Sequence, residues 1–361
     1  MKRQNFSAAI FAIGLLFLLA ACRRGGTQQA DAAQGDTLRL KYAQLLTIVE
    51  YDGYTEVSVA DPWHQGRVLH TYKIEHNRPV RRALVTTSVH CSLLDELGCR
   101  TAVAGVCDRQ YIHLDWVQQG CRDGSIADCG NSLEPTIERI AELQPDAIFL
   151  SPFQNSGGYG RVEQTGIEIV EMADYMEPSA LGRAEWVRFY GRLLGQPRRA
   201  DSLFTAVETA YRRLSDESAT EGPRPTLLMD KTVGQVWYVP GGQSTTGRML
   251  ADAGARYPWA DDTHSGSLAL PPEQVLEMAA DADVWLLRYS GTRRLTLKEL
   301  LSENAAYGLL RAFRQGRVYG CNTDTSTFFE DTPFHPERLL RDIVCMIHPE
   351  KGEPRYYHRV E

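Results

Sequence analysis

The sequence predicts an α/β protein: two Rossmann-like lobes with mostly parallel sheets joined by one long α-helix, preceded by an N-terminal β-hairpin extension. Three observations carry this. From Arg82 onward, compact apolar runs such as "RALVTTS", "TAVAGVC", "DAIFLSP" and "IEIVEMA" alternate with amphipathic helical patterns, as in a parallel sheet covered on both faces. Near Pro178 the alternation gives way to two helical patterns with no strand between them, then resumes with "TLLMD", "DVWLLR" and "GRVYGC". Roughly 325 residues follow residue 36, more than one hydrophobic core usually organises, which favours two lobes.

The elements follow in order. Lys2 and Arg3 precede an uncharged run from Asn5 to Ala21 that ends in Leu19, Ala20, Ala21 and Cys22. Its apolar core is shorter than the ~20 residues of a spanning helix and ends in small residues before a cysteine, so residues 1–21 read as a lipoprotein signal peptide. Cleavage before Cys22 would leave that thiol to carry lipid, and at ~0.8 kcal/mol per buried methylene several acyl chains anchor far more firmly than one. Residues 22–36 are rich in Gly, Gln, Ala and Asp without periodicity and read as a flexible tether.

Residues 37–81 alternate apolar and polar positions, as in Thr55, Glu56, Val57, Ser58 and Val59, with Asp52 and Gly53 marking a turn, and form the β-rich extension. The first lobe is expected over 82–196, the linking helix over 197–218 and the second lobe over 223–361. Ahead of the linker a helix runs from Ser179, a good N-cap, to Gly195, a good C-cap. The linker opens at Pro197 and carries Leu203, Val207, Ala210 and Leu214 at spacings of three and four. About 20 helical residues span ~30 Å, enough to bridge two lobes.

A net charge of -7 gives no electrostatic reason to expect nucleic acid as a partner. With Cys22 lipidated, Cys91, Cys99, Cys107, Cys121, Cys129, Cys321 and Cys345 remain, an odd number without C-x-x-C spacing, so neither a metal site nor a resident cofactor is expected. Cys107 and Cys121 are a candidate disulfide in an oxidising compartment, with buried free thiols as the alternative.

One helix and strand unit occurs twice: "PTIERIAELQPDAIFL" and "PPEQVLEMAADADVWLL". In each, proline opens a helix, a glutamate follows in the first turn, and an acidic turn leads into a buried strand. Glu138 and Glu273 hold matching positions beside the apolar stripes, so both carboxylates should be exposed near helix N-termini, where negative charge is favourable by up to ~1 kcal/mol. One per lobe, they could register the protein on two basic patches of a symmetric partner.

"IERIAELQPDAIFL", the Gly-rich "GGQSTTGRMLADAGA" and "PPEQVLEMAADADVWL", in this order, resemble the ABC-importer substrate-binding proteins for iron-siderophores, haem and cobalamin, over roughly residues 82–348. "ADYMEPSALGRAEWVRFYGRLLG" and "FHPERLLRDIVCMIHPE" resemble Bacteroides-like lipoprotein versions. The resemblance implies two lobes with modest hinge motion about one helix. It also implies that one glutamate of each lobe docks on arginines of a permease dimer, matching Glu138 and Glu273. The segment 37–80 departs from it, since the better-known members lack such an extension.

Ligands of open α/β sheets gather beyond the carboxyl ends of the strands. That rule selects Ser88 and His90, Tyr111 and His113, and Ser151, Phe153 and Tyr159 from the first lobe. From the second it selects Trp237 and Tyr238, Arg288 and Tyr289, and Phe328 and Phe329. Aromatic walls suit a macrocycle or a catecholate, Arg288 could hold a negative charge, and His90 or His113 could bind haem or cobalt axially. "PGGQSTTGR" lacks the G-K-S/T ending of a nucleotide loop, and no Ser, His and Asp constellation or zinc motif is visible, so no enzyme is expected. The expectation is a monomeric, lipid-anchored periplasmic protein that captures a metal chelate for an ABC permease. A haem or corrinoid scavenger or sensor without a transporter, and a chelatase-like enzyme, are the competing readings.

Overall fold

The computed structural model describes residues 35–154, 158–220, 222 and 224–361; the expected signal peptide, Cys22 and nearly all of the tether lie outside them. The chain opens with β1 (Asp36–Leu38), β2 (Leu46–Tyr51), β3 (Tyr54–Ala60) and β4 (Val68–Glu75). They form an antiparallel meander in which β3 buries every second residue, as alternation with one covered face requires. Gly53, at φ 86°, makes the turn between β2 and β3.

The first lobe contains β5 (Ala83–Val85), α1 (Ser88–Glu96), β6 (Val103–Val106), α2 (Asp115–Asp123), β7 (Ala127–Asp128), α3 (Ile137–Leu143), β8 (Ala147–Leu150) and β9 (Glu168–Glu171). The strands make one parallel sheet in the order β7-β6-β5-β8-β9. Every residue of β5, β6 and β8 is buried, because the sheet is covered on both faces. Two helices follow, α4 (Ala180–Glu185) and α5 (Val187–Leu193), with the Ser179 hydroxyl accepting the Gly182 N–H at the start and Gly195 at φ 68° after the end.

The linker, α6 (Pro197–Thr220), has 24 residues and so extends ~36 Å. Its buried stripe is Ala200, Phe204, Val207, Tyr211 and Ser218, which packs on α5 and on two helices of the second lobe. The expected stripe shares only Val207 with it; Leu203, Ala210 and Leu214 sit half-buried on its flank, since the helix turns Phe204 and Tyr211 inward.

The second lobe contains β10 (Leu227–Met229), β11 (Thr232–Val233), β12 (Val236–Pro240), α7 (Thr245–Asp252), β13 (Ser267–Leu270), α8 (Pro272–Ala279), β14 (Val284–Tyr289), α9 (Leu297–Glu303), α10 (Arg311–Arg314), β15 (Val318–Asn322), α11 (Phe328–Asp331), α12 (Pro336–Ile347) and β16 (His358–Arg359). Strands β10, β14 and β15 run parallel, β16 closes that sheet antiparallel, and β11, β12 and β13 form a separate small antiparallel sheet. The whole is a two-lobed α/β fold linked by α6 and carrying an antiparallel N-terminal sheet.

The seven described cysteines are all free. Cys107 does not meet Cys121: it packs in an apolar cluster with Cys129 and Ile148, while Cys121 lies against the other core cluster. Burial pushes the Cys107 thiol up to about 12, so it behaves as a small core residue.

The N-terminal sheet is tied to the first lobe by buried carboxylates. Glu185, with no exposed surface, accepts the backbone N–H groups of Lys41, Tyr42 and Ala43 at 3.0, 2.8 and 3.0 Å. Glu177 accepts those of Gln44 and Leu45, both at 2.9 Å, together with the Trp186 indole N–H at 2.9 Å. Arg192 links Glu50 of β2, at 2.8 Å, to Asp201 of α6, at 3.0 Å. Replacing Glu185 by Ala leaves three N–H groups without their acceptor. Urea unfolding should show a loss of about 3 kcal/mol, with faster proteolysis of residues 37–80; a loss below about 1 kcal/mol would mean those groups find other partners.

Candidate functional site

The lobes meet where α1 packs on α11. His113 donates its backbone N–H to Glu330 at 2.9 Å, and Ser92 donates its hydroxyl to Asp331 at 3.4 Å. Glu96 of α1 is met by His335 and, at 3.3 Å, by Arg338. Burial and the partners of His335 act against each other. Desolvation alone would lower its pKa, but Glu337 and Glu96 raise it, so the charged form is favoured across this contact. Glu330 is buried with its second carboxylate oxygen lacking a partner, and burial raises its pKa despite the His113 N–H.

Behind α1 lies a relay invisible in the sequence. Asp174 is 1% exposed; its Oδ1 faces His90 Nε2 and the Tyr190 hydroxyl, both at 3.1 Å, and its Oδ2 accepts from Arg183 at 2.8 Å. Burial alone would raise the Asp174 pKa, but the Arg183 charge and the His90 hydrogen bond hold it at about 2. An ionised carboxylate only accepts, so His90 carries a proton on Nε2, while its Nδ1 lies 2.6 Å from the Thr87 hydroxyl. Thr87, half-buried at the N-cap of α1, is held in place by this contact. Sequence reasoning missed it, although the strand-end rule that selected Ser88 applies equally one residue earlier.

The selected residues divide into inward and outward groups. His90 has no exposed surface and both ring nitrogens engaged, so axial ligation is closed to it in this arrangement. Trp237 is likewise enclosed, donating its indole N–H to the Met229 carbonyl and packing edge-on against Tyr307. Tyr289 is buried with its hydroxyl 3.1 Å from His358 Nε2, and Phe328 is buried against Tyr356 and Tyr357. These four serve the core. In the strands β12 and β14 alternation turns the neighbours the other way: Tyr238 is exposed, and Arg288 makes a two-pronged ion pair with Asp230 at 3.0 and 2.6 Å, while Phe329, on the outer face of helix α11, is also exposed. Asp230 sits at φ 56°, a left-handed conformation at the end of β10.

Ser88, His113 and Ser151 are half-buried at strand ends, and Tyr111 stands exposed after β6. Phe153 and Tyr159 line a cavity of about 570 Å³ whose facing wall is the N-terminal sheet. Tyr159 donates its hydroxyl to Glu171 at 2.6 Å. Glu138 and Glu273 both lie in exposed first turns, of α3 and α8, with Glu138 3.5 Å from Arg161. Among the described residues no group of three or more His, Cys, Asp or Glu could hold a metal ion, and no helix is long and apolar enough to cross a membrane.

Because the folded pKa of Asp174 is depressed, its contribution is present above the unfolded value near 4 and is lost as pH falls toward 2. Asp174→Asn should therefore cost about 2 kcal/mol in chemical unfolding at pH 7, and the gap to the parent protein should narrow as pH approaches 2. An equal gap at both pH values would show that shape, not charge, sets the cost.

A family model described as "Periplasmic binding protein" matches residues 85–325. An uncharacterized lipoprotein from Methanocaldococcus jannaschii is 25% identical over 304 residues, covering 82% of this chain and 72% of its own. A periplasmic heme binding protein from Pseudomonas aeruginosa superposes with a TM-score of 0.60 at 18% identity, over 78% of this chain and 98% of that one. The TroA-like periplasmic binding protein FepB from Veillonella parvula superposes with a TM-score of 0.60 at 17% identity, over 84% and 99%. At such identities the structural likeness is one of fold, whereas the family match spans most of the sequence. Matched over residues 85–325 and built as two α/β lobes with one helix as the bridge, the chain belongs to the periplasmic binding protein family.

Proposed function

We propose that this extracytoplasmic solute-binding protein captures an iron-siderophore, haem or cobalamin between its lobes and delivers it to an ABC permease, anchored through lipid on Cys22. The observation that carries the reading is the two-lobed fold within a matched binding-protein family. The lobes meet through His113 and Glu330, Ser92 and Asp331, and Glu96 with Arg338, and ligands of such open sheets gather beyond the carboxyl ends of the strands. Tyr111, Phe329 and the Arg288 pair offer ring faces and a guanidinium at the strand ends, while Thr87, Ser88 and Ser151 offer hydroxyls. Such a set suits a large, partly aromatic, anionic chelate. The haem-binding protein from Pseudomonas aeruginosa, which shares this fold, fits the class of cargo without selecting a member.

Glu138 and Glu273 would orient the loaded protein on the permease. Exposed ion pairs contribute up to ~1 kcal/mol each, so the two set registration more than affinity. Titration of the purified protein with hemin, cyanocobalamin and a ferric catecholate should give saturable one-to-one binding of one of them without turnover. Binding of none would overturn the cargo class. In cells, the double charge reversal Glu138→Lys with Glu273→Lys should reduce uptake about tenfold and leave the affinity for cargo within twofold. Undiminished uptake would remove the docking role, and binding without any uptake in the parent strain would favour a scavenger.

A further inference from the structure

The family match begins at residue 85, so the N-terminal sheet lies outside it, yet the sheet is built into the first lobe. The connection after β3 and the start of β4 reach across to the segment following β8. Trp63 and His70 face Phe153 and Tyr159 across the cavity of about 570 Å³, within the roughly 300–1,000 Å³ of small-molecule sites. Phe153 is half exposed, and His70 stacks on Tyr72 with ring centres 4.3 Å apart and planes 26° apart.

The carboxylates outnumber the basic groups around these rings, where His70 is the only basic side chain among the described lining residues. Glu163, Glu168 and Glu171 line the cavity, and no Lys or Arg does so among the described lining residues. The acidic groups are held in place before any ligand arrives. Glu171 donates its backbone N–H to the Tyr72 hydroxyl at 2.8 Å and accepts from Tyr159 on Oε1, which leaves Oε2 3.9 Å from His70 Nδ1. Glu163 accepts the Tyr159 backbone N–H at 2.6 Å. Glu168 is exposed at the rim.

Ring faces attract a cation through their negative quadrupole, and carboxylates nearby add to the attraction while repelling an anion. We propose that the N-terminal sheet and the first lobe together form a second ligand site, selective for an organic cation bearing an alkylammonium or quaternary ammonium group. It is separate from the interlobe cleft and stands whether or not the cleft takes a metal chelate. An anionic chelate would meet three carboxylates here, with His70 the only basic side chain among the described lining residues.

Calorimetric titration of the whole soluble chain with benzyltrimethylammonium tests this, with benzyl alcohol and benzenesulfonate as neutral and anionic counterparts. One saturable site is expected for the cation, at least tenfold weaker for the alcohol and absent for the sulfonate. Trp63→Ala should weaken the cation about tenfold and Glu168→Gln about threefold, with unchanged thermal unfolding showing that both variants fold. Lack of saturable cation binding, equal binding of the sulfonate, or retained affinity in Trp63→Ala would each overturn the site. A cation that competes with hemin or a ferric catecholate would overturn its separateness from the cleft.

Discussion

Buried carboxylates need donors, and much of this architecture follows from where three of them found theirs. Asp174, Glu177 and Glu185 lie between β9 and α5, each less than 4% exposed. An ionised carboxylate left unpaired in the interior would cost several kcal/mol, so each draws chain segments toward itself until its oxygens are met. Glu177 and Glu185 draw in the backbone of residues 41–45, which is sequence-distant and lies outside the helices and strands. Asp174 draws in His90, Tyr190 and Arg183. One short segment therefore fastens the extension on one side and sets the strand-end hydroxyl of Thr87 on the other.

The same reasoning separates the relay from catalytic machinery. Hydroxyl, imidazole and carboxylate stand in series, but the imidazole is closed in by the Tyr190 and Phe334 rings, with centroids 5.2 and 6.5 Å away. The carboxylate is shared with a guanidinium and a phenol. In a binding fold this arrangement orients a polar group at the end of β5 and ties that group to the core. Rigid strand ends matter in such a protein because binding energy spent on ordering the site is lost from affinity.

The lobes are joined at two places. The buried stripe of α6 continues onto α12, which itself packs near α4 of the first lobe. Beside it, Glu330 and Asp331 of α11 meet the first lobe directly. The Glu330 oxygen that lacks a partner sits at this contact.

Local chemistry was readable from the residues alone. Ser179 caps its helix, Pro197 opens the linker, Asp52 and Gly53 turn the hairpin, and Glu138 and Glu273 are exposed in first turns, because each depends on neighbours within one turn of chain. The strand-end rule selected segments at or near strand ends, although Trp237, Tyr238, Arg288 and Tyr289 lie within strands and Phe328 and Phe329 within a helix. It could not choose within the pairs Trp237 and Tyr238, Arg288 and Tyr289, or Phe328 and Phe329, where the two side chains point apart and only the packed neighbours decide which one is buried. Nor could it see Thr87 with Asp174, the free state of Cys107 and Cys121, or Trp63 facing Phe153. Those depend on residues brought together from distant parts of the chain, and periodicity carries no information about partners that the fold alone makes adjacent. By itself the sequence determined the elements, their order and the two-lobed class; the tertiary structure decided which side chains face a ligand and which hold the protein together, because that choice is made by packing and by the search of buried charges for donors.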